Sequence, residues 1–259
     1  MPSLPLLGLL LALTSPAQHG KETVDPSLLR FLSPYEGCVV VHDLATGSTV
    51  RSDAARCAAR RTPCSTFKIY NSLVGLETGV VKDESAPFPW DGVKRDNPDW
   101  NRDQTLASAF KVSAVWVYQK LARDVGLERM REQLAREPYG NSDVSGGIDR
   151  FWLESSLLVS PDEQVRFLAR VYRGETSFRP EAVATVKRML KISETGGVVF
   201  SGKTGSGRTG GKPALGWFVG HVSSPAGERV FAVEIEGEDA WGPKGREIAR
   251  KMLEARGWM

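Results

Sequence analysis

The sequence predicts an α+β fold: an antiparallel sheet built from the N- and C-terminal parts of the chain, flanked by helices and interrupted by an inserted helical lobe. Three observations predict it. Short β-rich runs occupy residues 37–52, helical periodicity fills residues 65–190, and longer β-rich runs separated by Gly and Pro return at 197–237. No internal repeat or low-complexity linker divides the chain, so residues 18–259 read as a single domain. Its sheet lobe covers about 24–64 and 195–259, and its helical lobe about 65–194. A cleft between two such lobes is a natural pocket.

The elements follow in order. Residues 1–17, MPSLPLLGLLLALTSPA, carry no charge and hold the apolar run 6–13, too short to span a bilayer as a finished helix. They read as a signal peptide with small residues at Ser15-Pro16-Ala17 before cleavage at Gln18, although the n-region lacks Lys and Arg. Export places the mature chain in the periplasm or outside the cell, with no membrane segment left after cleavage. GCVVVHDL at 37–44 and STVRS at 48–52 flank the turn-like Ala45-Thr46-Gly47 as a hairpin. Phe67, Tyr70, Leu73, Val74 and Leu76 fall near helical spacing over 65–77, and Gly79 supplies the stop. Residues 104–110, 114–124, 127–136, 161–173 and 180–190 also read as helices, the last two with Pro near the first turn. GVVFSGKTG, ALGWFVGHVSS and RVFAVEIEG are the returning strands, and 243–256 closes the chain as a helix.

Composition narrows the function classes. Thirty-four Lys and Arg against 31 Asp and Glu give a net charge of +3, with 41% hydrophobic and 25% charged residues. These are ordinary values for a folded enzyme-sized chain, and no basic cluster runs past Arg60 and Arg61, which argues against a nucleic-acid partner. Cys38, Cys57 and Cys64 allow one disulfide and a spare thiol, which suits export, but spacing leaves the pairing open and three buried thiols remain an alternative. His19, His42 and His221 are isolated, so no metal site is expected.

Two glycine motifs fail on context. GVVFSGKT at 197–204 satisfies the P-loop pattern, yet GSGRTGGKP follows where a phosphate-binding helix must begin. Gly205, Gly207 and Gly210 fit G-x-G-x-x-G but lead into another strand. No G-x-S-x-G elbow exists, and a serine nucleophile would therefore need a base other than His. Lysine serves when burial lowers its pKa. Ser65 and Lys68 form an S-x-x-K pair on one helical face, with Ser65 at the helix N-terminus, where amides and the dipole favour an oxyanion. Ser108 and Lys111 match the same pattern. What singles out Ser65 is the ordered company of Ser113-Ala114-Val115, Tyr139-Gly140-Asn141 and Lys203-Thr204-Gly205.

With these motifs the chain resembles the class D β-lactamases, or oxacillinases, among the serine penicillin-recognising enzymes. The resemblance covers about residues 37–256 and includes PCSTFKIYNSLVGLETG, GGIDRFWLESSL, GKTGSG and GWFVG. It implies a β-lactamase/transpeptidase-like fold and hydrolysis of the penicillin amide through a serine acyl-enzyme, a resistance function. Ser65 is then the nucleophile. Lys68 is carboxylated by carbon dioxide and serves as general base, with no separate cofactor, in an apolar pocket for which Phe67, Val115 and Leu153 are candidate linings. The Trp152 indole holds the carbamate, and Ser113 and Lys203 form a proton path to the lactam nitrogen. Thr204 and Arg246 bind the substrate carboxylate, Gly205 lies in the binding strand, and the N–H groups of Ser65 and Ser206 form the oxyanion hole. The implied partner is a small β-lactam, and the chain is a monomer or homodimer. Tyr139-Gly140-Asn141 reads as a structural turn near the cleft, and Cys64 stands where many relatives carry Ala. A penicillin-sensing receptor domain and a cell-wall peptidase share the nucleophile and differ in how fast the acyl group leaves.

Overall fold

The computed structural model describes residues 20–259, so the signal-peptide reading of residues 1–17 lies outside the described residues. Strands β1 (Glu22–Val24), β2 (Glu36–Asp43) and β3 (Thr49–Arg51) come first, followed by the short helix α1 (Ala54–Ala58). A 3-10 turn at Cys64–Phe67 runs into α2 (Lys68–Glu77). The two-residue strands β4 (Pro87–Phe88) and β5 (Gln104–Thr105) precede α3 (Leu106–Val112), α4 (Val115–Val125) and α5 (Leu127–Arg136). Helices α6 (Pro161–Arg173) and α7 (Pro180–Leu190) then lead to β6 (Lys191–Thr195), β7 (Val198–Thr209), β8 (Lys212–Ser224) and β9 (Gly227–Glu236), and α8 (Gly242–Ala255) ends the fold.

The main sheet has the order β1-β3-β2-β9-β8-β7-β6, so the first strands of the chain pair with the last. Val39 sits opposite Val233 on β9, and the pairing is antiparallel everywhere except between β1 and β3. Both faces are covered. Val39 and Val41 join Phe231, Val233, Ile248, Met252 and Leu253 under α8, whereas Cys38 and Val40 join Trp217 and Ala232 in the core shared with the helical lobe. That period-two division is what strand geometry demands of a sheet buried on both sides.

Sequence logic explains most element ends. Helix α6 starts with a capping box between Ser160 and Glu163, has Pro in its first turn, and stops at Gly174 with φ 72°. Three expectations change. The helix expected from Ser65 begins only at Lys68, because residues 64–67 form the tighter 3-10 turn. The helix expected from Gln104 begins at Leu106, since Gln104 and Thr105 pair with β4 and Thr105 caps the helix. Helix α6, assigned by the sequence to the helical lobe, packs on β9 and β2 and so covers the sheet face opposite α8. Cys38 and Cys57 form the disulfide, with Cα atoms 5.5 Å apart, leaving Cys64 as a buried free thiol.

Candidate active site

The site is built around the turn that carries Ser65. Cys64 adopts φ 49°, a left-handed conformation unusual for a residue with a Cβ, and the 3-10 turn it opens presents Ser65 at the edge of α2. The Lys68 amine donates to Ser65 Oγ at 2.7 Å. Lys68 is fully buried, with its amine 5.2 Å from the centre of the buried Tyr118 ring. Burial, reinforced by the nearby Lys203 cation, holds the Lys68 amine well below the ordinary lysine value. A neutral amine beside a hydroxyl is a base within reach of a nucleophile. Burial likewise pushes the Cys64 thiol up to about 12, so it is no competing nucleophile.

A second pair comes from the other elements. Helix α3 ends on Ser113 in a left-handed conformation, φ 59° and ψ 37°, and α4 restarts two residues later. Lys203, 5% exposed on β7, donates to Ser113 Oγ at 3.0 Å and to the Thr204 carbonyl at 3.0 Å. Burial brings Lys203 down to about 7, so both its charged and neutral forms are available near neutral pH.

Trp152 lies on the long connection between α5 and α6. Its ring stacks on Phe67 at 5.6 Å and meets Phe151 edge-on at 5.1 Å, so it is part of the core. Its indole N–H, however, is buried without an acceptor. An orphaned donor of this kind costs about 1–3 kcal/mol unless a ligand or modification satisfies it, and a carbamate on Lys68 fits that need chemically. Thr62 ties the connection to the turn that carries Ser65: its hydroxyl donates to the Trp152 carbonyl at 3.1 Å and accepts from the Glu154 N–H at 3.1 Å.

Strand β7 forms the opposite wall. A Cβ on Gly205 would stand 2.8 Å from the Pro63 carbonyl oxygen, so only glycine lets the strand approach the turn this closely. Gly242, at the start of α8, abuts Thr204 and Gly205, and its N–H donates to Ser206 Oγ at 3.0 Å. Arg246, Lys203 and Thr204 line one cavity of about 370 Å³ with Phe110 and Lys111. Arg246 has no carboxylate partner among the described residues. Val115 and Leu153 are partly buried, on α4 and beside Trp152. The residues expected from the sequence therefore fall into two hydrogen-bonded pairs, a buried donor and a cationic cavity. Ser108, the rival S-x-x-K serine, is spent on capping: it joins Thr105 in the box at the start of α3.

Sequence reasoning passed over Gln164. Its side-chain amide donates to Thr66 Oγ1 at 2.8 Å and accepts from the Tyr139 hydroxyl at 2.8 Å, linking α6 to the residue after Ser65. No local pattern signals a contact across 98 residues. No cluster of three or more metal-ligating side chains occurs among the described residues.

Comparison with known proteins adds an independent line. Residues 37–254 match the model of the penicillin binding protein transpeptidase domain. The probable beta-lactamase YbxI of Bacillus subtilis is 43% identical over 222 residues, 86% of this chain and 81% of that protein. The crystal structure of a class D beta-lactamase from Bacillus subtilis superposes with a TM-score of 0.85 at 40% identity, covering 91% of this chain and 99% of that one. The C-terminal domain of the Bacillus licheniformis BlaR penicillin-receptor gives a TM-score of 0.87 at 33% identity, over 93% of this chain and 98% of that domain.

Proposed function

The chain belongs to the class D β-lactamases, within the penicillin binding protein transpeptidase family, and from that membership we propose a mechanism in which its two Ser–Lys pairs open and clear the β-lactam ring. The protein is an enzyme that hydrolyses β-lactams through a serine, and so confers resistance to them. The observation that carries the residue assignment is the 2.7 Å Ser65–Lys68 pair, with the 3.0 Å Ser113–Lys203 pair near enough for the Lys203 charge to act on Lys68.

Ser65 Oγ attacks the lactam carbonyl while its proton passes to the base at Lys68. The N–H groups of Ser65 and Ser206 receive the developing oxyanion. As the lactam C–N bond breaks, Ser113 passes a proton to the leaving nitrogen and is resupplied by Lys203, whose value near 7 suits donation at neutral pH. Thr204 and Arg246 hold the substrate carboxylate, and Gly205, Val115 and Leu153 border the ring and its side chain. Once the proton held at Lys68 has returned to the Ser113–Lys203 pair, water attacks the acyl ester and gives its proton to the base at Lys68, the Ser65 Oγ–carbon bond breaks as Ser65 Oγ takes that proton back, and the opened acid leaves. Carbon dioxide bound to the Lys68 amine supplies a carboxylate base for both halves. Lys68 and the Trp152 N–H are the residues that would hold it: a depressed lysine offers the neutral amine that attacks carbon dioxide, and the orphaned indole supplies a donor for the resulting anion. Export to the periplasm or the medium completes the reading, supported by residues 1–17 and by the Cys38–Cys57 disulfide.

Intact-protein mass followed after adding one penicillin in bicarbonate buffer tests this. A Ser65 adduct that forms and decays while opened drug accumulates is the expected result. An adduct lasting for hours would shift the chain toward the behaviour of a receptor domain, and no adduct would remove Ser65 from the chemistry.

A further inference from the structure

We infer that Gln164 is a positioning residue for the nucleophile, acting through Thr66 and the Pro63 carbonyl from beneath the turn that carries Ser65. The inference rests on the assignment of Ser65 as the acylated residue. Its basis is a directional chain of three buried hydrogen bonds. The Tyr139 hydroxyl donates to Gln164 Oε1 at 2.8 Å, Gln164 Nε2 donates to Thr66 Oγ1 at 2.8 Å, and Thr66 Oγ1 donates to the Pro63 carbonyl at 2.7 Å. Tyr139, Gln164 and Thr66 are each 2% exposed or less, so water does not compete for any of these groups.

The polarity of the chain leaves each member one arrangement. The Pro63 carbonyl can only accept, so it takes the single Thr66 hydroxyl proton, which leaves Thr66 Oγ1 to accept from Gln164 Nε2 and Gln164 Oε1 to accept from Tyr139. The Thr66 hydroxyl, accepting from Gln164, is left with its proton aimed at Pro63. That carbonyl is the point the site depends on. It also accepts the Thr66 N–H at 3.1 Å, and the Gly205 backbone of β7 packs against it. The relay therefore fixes one side of the oxygen while β7 fixes the other, and between them they set how far the Ser65 amide stands from the Ser206 amide. The strained Cys64, φ 49°, immediately follows Pro63, and a turn in that conformation persists only when its surroundings over-determine it. Gln164 reaches this point from a capped helix seated on the sheet, a rigid support for a reactive turn.

Three variants test the assignment: Gln164→Met, which keeps the length and removes both hydrogen bonds, Thr66→Val, and Tyr139→Phe. The last is mildest, because the ring keeps its contacts with Phe67 at 5.6 Å and Phe167 at 5.3 Å. Stopped-flow acylation by a chromogenic β-lactam separates the binding constant of the first complex from the acylation rate. The expected result for Gln164→Met is an acylation rate about ten- to a hundredfold lower with binding changed less than about twofold. Thr66→Val in that background is expected to add little, because the two act as one chain. Should Gln164→Met fail to fold, Tyr139→Phe carries the test, with a smaller drop in acylation rate expected at unchanged binding. A lowered melting temperature with wild-type acylation would overturn the inference and leave Gln164 a core residue. Absence of acylation in the wild type would instead overturn the assignment of Ser65.

Discussion

At the scale of residues, burial decides the chemistry of two lysines. Lys68 is depressed by desolvation first and by Lys203 second, which gives the neutral amine that the proposed roles of base and carbon dioxide acceptor require. Trp152→Phe keeps the stack on Phe67 and removes only the orphaned N–H. We expect the carbamate signal in carbon-13 spectra with labelled bicarbonate to weaken, and turnover to fall about ten- to a hundredfold from loss of one charge-assisted hydrogen bond; an undiminished signal would remove Trp152 from that role. Lys203 offers a second test. Its folded value, about 7, lies below that of an unfolded lysine, about 10.4. Between those values the unfolded chain holds the extra proton, so the Lys203 contribution to stability rises as pH climbs from about 7 to about 10 and is flat below. Urea unfolding near pH 7 and near pH 9 should show the wild type gaining on Lys203→Met at the higher pH. Equal gains in the two proteins would mean that Lys203 titrates normally.

At the scale of elements, the site depends on β7 lying against the turn that carries Ser65. Gly205→Ala places a methyl 2.8 Å from the Pro63 oxygen, closer than real Cβ contacts allow, and backbone must move on one side. The expected outcome is kcat lower by about ten- to a hundredfold with the fold kept, read from steady-state rates beside a thermal melt; full activity would show that the strand and turn have slack. The same scale shows what the sequence discloses. Helices α6 and α7 span the ranges their periodicity and first-turn prolines predict. Ser65, Lys68, Ser113 and Lys203 stand out because each sits in a short motif in a fixed order. Strand β6 was missed, since KISET is an edge strand with four of its five residues exposed and shows no apolar alternation. Strand β1 was missed because three residues carry too little pattern, and its parallel partner β3 is distant in sequence. The 3-10 turn has no local signature, because its neighbours come from distant parts of the chain: β7 lies against Pro63 and Cys64, and α6 reaches Thr66 through Gln164.

At the scale of the molecule, the two chain ends meet in one sheet, and α8 seals the junction. Ile248, Met252 and Leu253 are buried against Phe231 and Val233, while Gly242 supports Thr204 and Gly205 at the cleft. Burial of three such side chains is worth about 1.5–3 kcal/mol each. Their sum approaches the whole stability of an ordinary domain, about 5–15 kcal/mol. A chain ending at residue 241 would also expose the sheet face that α8 covers, a contiguous apolar surface prone to association. We expect that truncated chain to lose the cooperative thermal transition and to aggregate. The disulfide leaves this outcome unchanged, because Cys38–Cys57 joins β2 to α1 and does not reach the C-terminal strands. The site should fail with the fold: Thr204 loses its support from Gly242, Arg246 is removed, and β7 no longer bears on the turn that carries Ser65. If the truncated chain melted cooperatively and still acylated at the wild-type rate, the sheet and helical lobe would be holding the Ser65 turn without α8, and the closing helix would serve substrate binding alone.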